Sequence, residues 1–410
     1  MLKGILATTN IAPHIKQNIR ALADSNLLLR VFTTFYYHPD YPLTSFLGFF
    51  SSNLKRDFKR RSLEATHYSL IKGKPVLEIC RTIASKTLNA KITDFIWQFN
   101  EHLFGKWVSR KLSKKTDFVF VSEYSSLEIL KKATKLAITS IYEQPSIHHS
   151  TFTKIIDDQL RKYPDLISES FKLVLDDKSK LRNARRDEEL SLANLIICNS
   201  NFTKNSLIDA GVKPSKITVI PLGFPEVIIG EPKKTDIFIF MYAGNLSFNK
   251  GIHILVEAWK ELNLAPNKAE LHLYGTYFLP EKLRQGLPKN VHFFGNVQHQ
   301  ELMSVYKRAN VFVNPTLADG FGMVITEAMA NGLPVLASRN SAAPDLIEDT
   351  VDGLLMEGGN KNELIEKKLW CYQHSDDLLE MGSKARVKAQ RYTWSDYRKA
   401  LVETLESKFN

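Results

Sequence analysis

Cysteine is scarce in this chain: Cys80, Cys198 and Cys371 are the three among 410 residues. They stand far apart, in an odd number and without metal-ligand spacing, which argues against a secreted disulfide framework and for a reducing compartment. Long apolar runs are missing as well. The longest uncharged stretches, such as TSFLGFF (44–50), fall well short of the about 20 residues that span a bilayer. The apolar run in the opening MLKGILATTNIAPH is too short for the hydrophobic region of a secretory leader, and a strand entering a loop accounts for it better. Internal repeats and low-complexity segments are absent too. The expectation is a soluble, cytoplasmic protein of roughly two or three domains.

Charge of one sign is in excess. Lys and Arg outnumber Asp and Glu by 55 to 44, a net charge of +11, which suits anionic small molecules, anionic lipid or nucleic acid. The basic residues crowd into KRDFKRR (55–61) and KWVSRKLSKK (106–115). The second run continues Ile92, Ile96, Phe99, Leu103 and Trp107 at helical spacing. Such a helix either buries its apolar stripe in a core or lies against an anionic membrane, and both readings stand at this point. Charge alone hints at nucleic acid, so no such partner is expected.

From residue 236 the pattern is regular. DIFIFMYAG (236–244), ELHLYG (270–275), VHFFG (291–295), VFVNP (311–315) and LPVLAS (333–338) read as buried strands. IHILVEAWKEL (252–262), QELMSVYKRA (300–309) and the segment near VITEAMANG alternate with them as helices. Short apolar strands between amphipathic helices predict a parallel sheet covered on both faces, a Rossmann-like doubly wound α/β domain. The first half repeats the theme less cleanly, with KGILATT (3–9), LLLRVFTTF (27–35), DFVFVS (117–122), AITSIYE (137–143), NLIICNS (194–200) and ITVIPLG (217–223) as strands. FPEVIIGEPKKT (224–235) is polar and Pro/Gly-bearing, an interdomain linker. The expected division is 1–223, the linker 224–235, and a second domain over 236–390. Two such sheets facing each other enclose a cleft.

Three loops would point into that cleft. In GNLSFNKG (244–251), Gly244 and Asn245 leave a strand and Lys250-Gly251 opens a helix, offering backbone N–H groups and one ammonium to an anion. In FFGNVQ (293–298), Gly295 lets Asn296 and Val297 bring peptide groups to the edge of a base. In ADGFGMVITEAMANG (318–332), Gly320 and Gly322 let the main chain approach a phosphate. Glu327 lies in the first turns of the helix that follows, where it can accept from a ribose diol. Asp319 stays free in the loop for sugar hydroxyls. Acids near a helix start are also plain stabilisers worth ~0.3–1 kcal/mol each, but that role gives no reason for the glycine pair and the small-residue run AMANG.

GFGMVITEAMANGLPVLAS, with Asp319 and Glu327 separated by seven residues, resembles the E-x7-E signature of family 4 retaining glycosyltransferases, whose fold is GT-B. YAGNLSFNKGIHILVEAWKEL resembles that family's diphosphate loop and following helix. LANLIICNSNFTKNSLIDAGVKPSKITVIPLG resembles the end of its acceptor domain, and QRYTWSDYRKALVETL resembles the C-terminal helix, 391–410, that crosses back to the first domain. The resemblance implies that Lys250 binds the donor diphosphate and that Gly320, Phe321, Gly322, Met323 and Val324 hold phosphate and sugar through backbone N–H groups. It further implies Glu327 on the ribose, Asp319 on the transferred sugar, and the 294–298 loop on the base. In EQPSIHHS (143–150) it places a histidine at the reaction centre, His148, with His149 as rival. The family often has Arg where Asn245 stands and Glu where Asp319 stands.

What this implies is transfer of a glycosyl group from a nucleoside diphosphate sugar to an acceptor hydroxyl with retained configuration, in polysaccharide or glycolipid assembly. No cofactor beyond the donor and no metal are expected, because no Asp-x-Asp and no His/Cys cluster stands where it would serve the donor. The basic face suits a glycan or lipid-linked acceptor and peripheral contact with the inner face of an anionic membrane. Two other readings remain: a glycoside hydrolase or phosphorylase with Asp319 and Glu327 as its carboxylate pair, and a non-catalytic nucleotide-binding GT-B chain.

Overall fold

The computed structural model describes residues 2–38, 59–87, 90–168, 171–172, 175–226 and 236–409. The stretch 44–50, most of the basic run 55–61 and most of the expected linker 224–235 lie outside the described residues. Strands β1 (Gly4–Thr8), β2 (Leu28–Thr33), β3 (Ile71–Gly73), β4 (Phe118–Ser122), β5 (Thr139–Gln144), β6 (Leu195–Cys198) and β7 (Ile217–Val219) form one sheet, ordered β3-β2-β1-β4-β5-β6-β7. Strands β8 (Phe238–Ala243), β9 (Ala269–Tyr274), β10 (Val291–Gly295), β11 (Val311–Asn314), β12 (Val335–Ser338) and β13 (Leu354–Met356) form a second, ordered β10-β9-β8-β11-β12-β13. All pairings are parallel. Continuous apolar sequence is the cause: β8, FIFMYA, is buried at every position because helices cover both of its faces.

In the first domain those helices are α1 (Pro13–Asp24), α2 (Pro75–Thr87), α3 (Ala90–Ser109), α4 (Leu127–Leu136), α5 (His149–Lys162), α6 (Asp177–Leu192) and α7 (Asn201–Asp209). In the second they are α8 (Ile252–Leu262), α9 (His299–Tyr306), α10 (Met323–Ala330), α11 (Lys361–Gln373) and α12 (Ser375–Ala389). Helix α13 (Trp394–Phe409) returns to α1: Tyr397 Oη donates to Asn18 at 2.7 Å, and Arg398 donates to Gln17 at 2.6 Å. Leu401 and Leu405 of α13 share one apolar core with Leu6 of β1 and Phe312 of β11. One core therefore runs through both sheets. Strand order reverses between β1 and β4 and again between β8 and β11, and ligand crevices open outside the carboxyl ends at such points.

Helix α3 departs from a simple amphipathic scheme. It buries Asn100, Glu101, Phe104 and Val108, while Ile92, Phe95, Phe99 and Leu103 are exposed at 37–66%. The apolar stripe read from the sequence therefore faces outward over much of its length.

Lys368 on α11 is a buried ammonium with an electrostatic cost. It is fully buried, its Nζ lies 4.5 Å from the Trp259 ring centre and 5.4 Å from that of Phe240, and no hydrogen-bond partner reaches it among the described residues. Burial pulls its pKa down to about 7. Since the folded pKa lies below the unfolded one, the unfolded chain binds the extra proton, and stability rises with pH from about 7 toward the ordinary lysine value of 10.5. Lys368→Met is expected to raise the melting temperature at pH 7.5 by about 5 °C or more. The gap from wild type should narrow as pH approaches 10; a gap independent of pH would contradict the assignment.

Candidate functional site

The carboxyl ends of β8, β9 and β10 are drawn together by glycine. Gly244 N donates to the Tyr274 carbonyl at 2.9 Å and Gly275 N to the Gly295 carbonyl at 2.7 Å. A Cβ on Gly275 would overlap the Gly244 carbonyl oxygen. Beyond Gly244, Asn245 is exposed and its carbonyl accepts from Tyr242 Oη at 3.0 Å. Lys250 closes a short 3-10 turn (Phe248–Lys250) before Gly251, whose φ of +70° starts α8. A side chain on Gly251 would overlap the Pro315 carbonyl. Leu317 N and Thr316 Oγ1 donate to Asn249 O at 2.9 and 3.2 Å, so the Lys250 turn is pinned to the segment after β11.

That segment carries Asp319, and Lys250 Nζ forms an ion pair with it. The expectation that Asp319 stays free is corrected: an ammonium and a carboxylate facing each other across a crevice neutralise one another. Helix α10 opens immediately after, at Gly322 with φ +87° and no side-chain cap; Ile325 N donates back to Gly322 O at 2.9 Å, while the N–H groups of Met323 and Val324 lack an intrahelical acceptor. Asn314, at the end of β11, is buried, and its Nδ2 has no partner among the described residues; a Cβ on Gly322 would stand 3.5 Å from it. Backbone N–H groups, an amide and an ammonium thus gather at one helix mouth, a ready anion site. Phe321 is buried with its ring in the core, its N donates to Asp319 Oδ1 at 3.4 Å and its carbonyl accepts from Ala342 N at 3.1 Å, while Met323 and Val324 are half-buried.

Glu327 sits in the second turn of α10, half-buried, and accepts from Tyr306 Oη at 3.1 Å. Burial raises its pKa above the usual carboxylate range, opposed by the charge of His299. Gly295 (φ +66°) has open space where a side chain would be, with Asn296 exposed beside it and Val297 half-buried. Gly320 stands at the contact between the domains. It abuts Pro145 and Ser146 of the first domain, and its carbonyl accepts from Ser200 Oγ at 2.6 Å and Thr203 Oγ1 at 3.3 Å. It is glycine because two domains touch there.

On the first-domain side, a cavity of about 370 Å³ opens at the switch between β1 and β4. Asn10, His14, Trp97, Glu101, Tyr124 and Glu143 are among its walls, as is Pro145, which touches Gly320. Glu143 is fully buried at the end of β5 and accepts from Asn18 Nδ2 at 2.7 Å and Ser122 Oγ at 3.2 Å. The same Asn18 receives Tyr397 Oη, which ties the pocket to α13. Burial pushes Glu101 up to about 8 against the pull of Arg185, whose Nη2 donates to its Oε2 at 2.8 Å. Tyr124 holds a φ of +82°, a strained value for a side-chain-bearing residue, while Glu189 of α6 accepts from its N at 3.2 Å and from Ser126 and Leu127 N at 2.9 and 3.0 Å.

His148 does not join this group. Its Nδ1 accepts from Ser150 N as the N-cap of α5, and its Nε2 lies 3.0 Å from Asp187, which His149 also reaches at 2.7 Å. Its backbone is tied to Ser206, six residues along α7 from the Ser200 that meets Gly320, roughly 9 Å back from the domain contact. Both histidines turn to Asp187 in this structure, while Pro145 and Glu143 line the first-domain cavity. Asn314, Tyr306 and Gly275 went unmarked in the sequence reading. Asn314 alone had a local signal, a polar residue closing the apolar strand VFVN before a proline.

Two parallel doubly wound domains, a cleft between their carboxyl ends and a C-terminal helix crossing back define a GT-B protein. The family description "Glycosyl transferases group 1" matches residues 237–374, most of the second domain. An uncharacterized glycosyltransferase of Methanocaldococcus jannaschii is 28% identical over 203 residues, 48% of this chain and 55% of that protein. Sulfoquinovosyl transferase SQD2 of Arabidopsis thaliana is 30% identical over 177 residues, 40% of this chain and 32% of that protein. The chain spans about half or less of the length of these relatives. Anabaena HepE in complex with UDP and glucose shares the fold with a TM-score of 0.63 at 18% identity, over 99% of this chain and 100% of that one. Sucrose-phosphate synthase from Thermosynechococcus elongatus does so with a TM-score of 0.64 at 17% identity, over 99% of each chain.

Gly251 and Gly295 test how this site is built. Both have positive φ, which costs a non-glycine residue about 1–2 kcal/mol. Gly251→Ala also meets the Pro315 carbonyl, whereas Gly295→Ala meets open space. In thermal melts Gly251→Ala is expected to lose at least twice as many degrees as Gly295→Ala, and equal losses would show that the Lys250 turn is not pinned.

Proposed function

We propose that this chain is a retaining glycosyltransferase that moves a sugar from a nucleoside diphosphate sugar to an acceptor hydroxyl. The observation that carries the reading is the meeting of Lys250 and Asp319 at the uncapped start of α10, with Glu327 further along the same helix. Lys250, the α10 N–H groups and Asn314 stabilise the departing diphosphate electrostatically. Glu327 binds ribose, and Tyr306 orients its carboxylate. The 294–298 loop takes the base. Asp319 holds the transferred sugar once the diphosphate has claimed Lys250. The HepE complex with UDP and glucose supports a UDP-sugar as donor. The donor chemistry requires no divalent ion, since fixed donors already face the place where charge develops. The hydrolase reading is disfavoured because Asp319 and Glu327 are engaged by Lys250 and Tyr306 rather than flanking an open bond.

The acceptor enters the first-domain cavity. The carboxylates of its wall match sugar hydroxyls, Trp97 offers a ring face, and the Pro145–Gly320 contact brings acceptor and donor sites together. Proximity then lowers the barrier by holding the acceptor hydroxyl near the anomeric carbon. The exposed apolar residues of α3, followed by exposed Lys106, Arg110, Lys111, Lys114 and Lys115, suit peripheral contact with anionic lipid and a lipid-linked acceptor. We infer contact with the inner face of a membrane; no described helix is long and apolar enough to cross one.

Thermal-shift screening against UDP-, GDP- and ADP-sugars identifies the donor, because a ligand bound by the native state raises stability by mass action. With that donor, Glu327→Ala is expected to weaken binding roughly 10–100-fold. Lys250→Ala should lower turnover on the order of 10²–10³-fold. Turnover should persist in excess chelator. Normal kinetics in both variants would remove the site.

Membrane contact has its own test. Flotation with phosphatidylglycerol vesicles should recover the wild type, and Phe95→Ser with Phe99→Ser should lose most of that binding. Equal recovery with neutral phosphatidylcholine vesicles would reject the electrostatic part of the proposal.

A further inference from the structure

A second polar cluster lies outside the cleft, on the edge of the second sheet, and owes nothing to the reading above. The parallel register of β9 and β10 sets His272 directly beside His292. Two residues earlier on β9, Glu270 points to the same face. His272 Nε2 stands 2.7 Å from Glu270 Oε2 and His292 Nε2 stands 3.6 Å from Glu270 Oε1. The three ligand atoms lie within 4.8 Å of one another. The side chains are 13%, 39% and 24% exposed for His272, His292 and Glu270, so an ion can enter from solvent. Phe294 stacks on Tyr274 at 4.6 Å and tilts over His272 at 4.9 Å, which gives the cluster an apolar wall toward the loops carrying Gly275 and Gly295.

We propose that Glu270, His272 and His292 form a binding site for a divalent transition-metal ion of the zinc type. Two imidazoles and a carboxylate are a ligand set that Zn²⁺ takes readily, with water completing a tetrahedron. Neighbouring ligand atoms in such a site are about 3.3 Å apart, so small side-chain rotations bring the present spacings into range. A simple hydrogen-bonded acid with two histidine neighbours is the competing account. It needs neither the cross-strand register nor both rings turned toward one carboxylate. His148, His149 and Asp187 form the other cluster of this size among the described residues. There the N-cap bond already commits Nδ1 of His148 and fixes its proton on Nε2, toward Asp187. That cluster has a structural task. The β9–β10 cluster lies on strands that end at Gly275 and Gly295, so an ion would clamp the edge of the donor-side sheet without touching the donor.

The test uses the full chain without a polyhistidine tag, stripped with chelator and titrated with Zn²⁺ by calorimetry. One ion per chain is expected, with a rise in melting temperature, and Co²⁺ should give the visible absorption of a low-coordinate site. His272→Asn, His292→Asn and Glu270→Gln should each weaken binding at least about tenfold, while His149→Asn should leave it unchanged. Circular dichroism checks each fold; should a histidine variant unfold, the half-exposed Glu270→Gln decides. No saturable binding, affinity unchanged in the β9–β10 variants, or affinity lost with His149→Asn would each overturn the assignment.

Discussion

A positive side chain and a negative one meet at the mouth of α10, and most of the second domain is arranged so that they can. Lys250 and Asp319 are each about one-fifth to one-quarter exposed, and an ion pair of that kind contributes only about 1 kcal/mol. A pair so weak is a poor lock for the fold and a good latch for a ligand. A diphosphate brings more charge than one carboxylate and can also use the free N–H groups of α10. It can therefore displace Asp319 from the ammonium and release that carboxylate toward a sugar. Gly251 against Pro315, and Asn249 held by Leu317 and Thr316, keep Lys250 where the exchange is possible.

The domain contact is the second constraint. Gly320 faces Pro145 with no side chain between them, and Ser200 and Thr203 hold its carbonyl. The loop that would grip the donor is thus the loop that meets the first domain, one residue from Asp319. Any opening of the cleft must break those two hydrogen bonds, each worth about 0.5–1.5 kcal/mol. Asn201 N and Nδ2 add two more between the domains, to Asp345 at 2.7 and 2.9 Å. On the opposite side, Tyr397, Asn18 and Glu143 form a chain of hydrogen bonds from the returning helix to the first-domain cavity. The cavity wall is therefore set by residues from the start, middle and end of the sequence.

Buried charge is handled differently in the two domains. In the first, Glu123 pairs with Arg186, Glu78 with Arg61 and Arg81, and Glu189 with backbone N–H groups, so almost every buried acid near the cavity has a partner. Such networks fix side-chain positions because a misplaced member leaves a costly orphan. In the second domain Lys368 is alone between aromatic rings. It lies far along the chain from the cleft residues, and nothing in the structure gives it a ligand.

Periodicity carried the architecture. Eleven of the strands stand where apolar runs predicted them, because a strand buried on both faces must be apolar throughout. Strands β3 and β13, three residues each, were not marked by an apolar run and pair with the edges of β2 and β12, whereas β7, equally short, lies in the longer run ITVIPLG. The loops after β8, β10 and β11 were legible through their glycines, and the mouth of α10 through Gly322. Partnership was not legible. That Lys250 rests on Asp319, that Tyr306 serves Glu327, that Gly320 belongs to the domain contact and that His148 turns to Asp187 all depend on residues tens of positions apart. Sequence by itself determined which segments are strands and where the chain must bend, since those follow from local hydrophobicity and backbone sterics. Only the tertiary structure decided which charges meet, because the energy of a polar group is set by whatever the folded chain brings within a few ångströms of it.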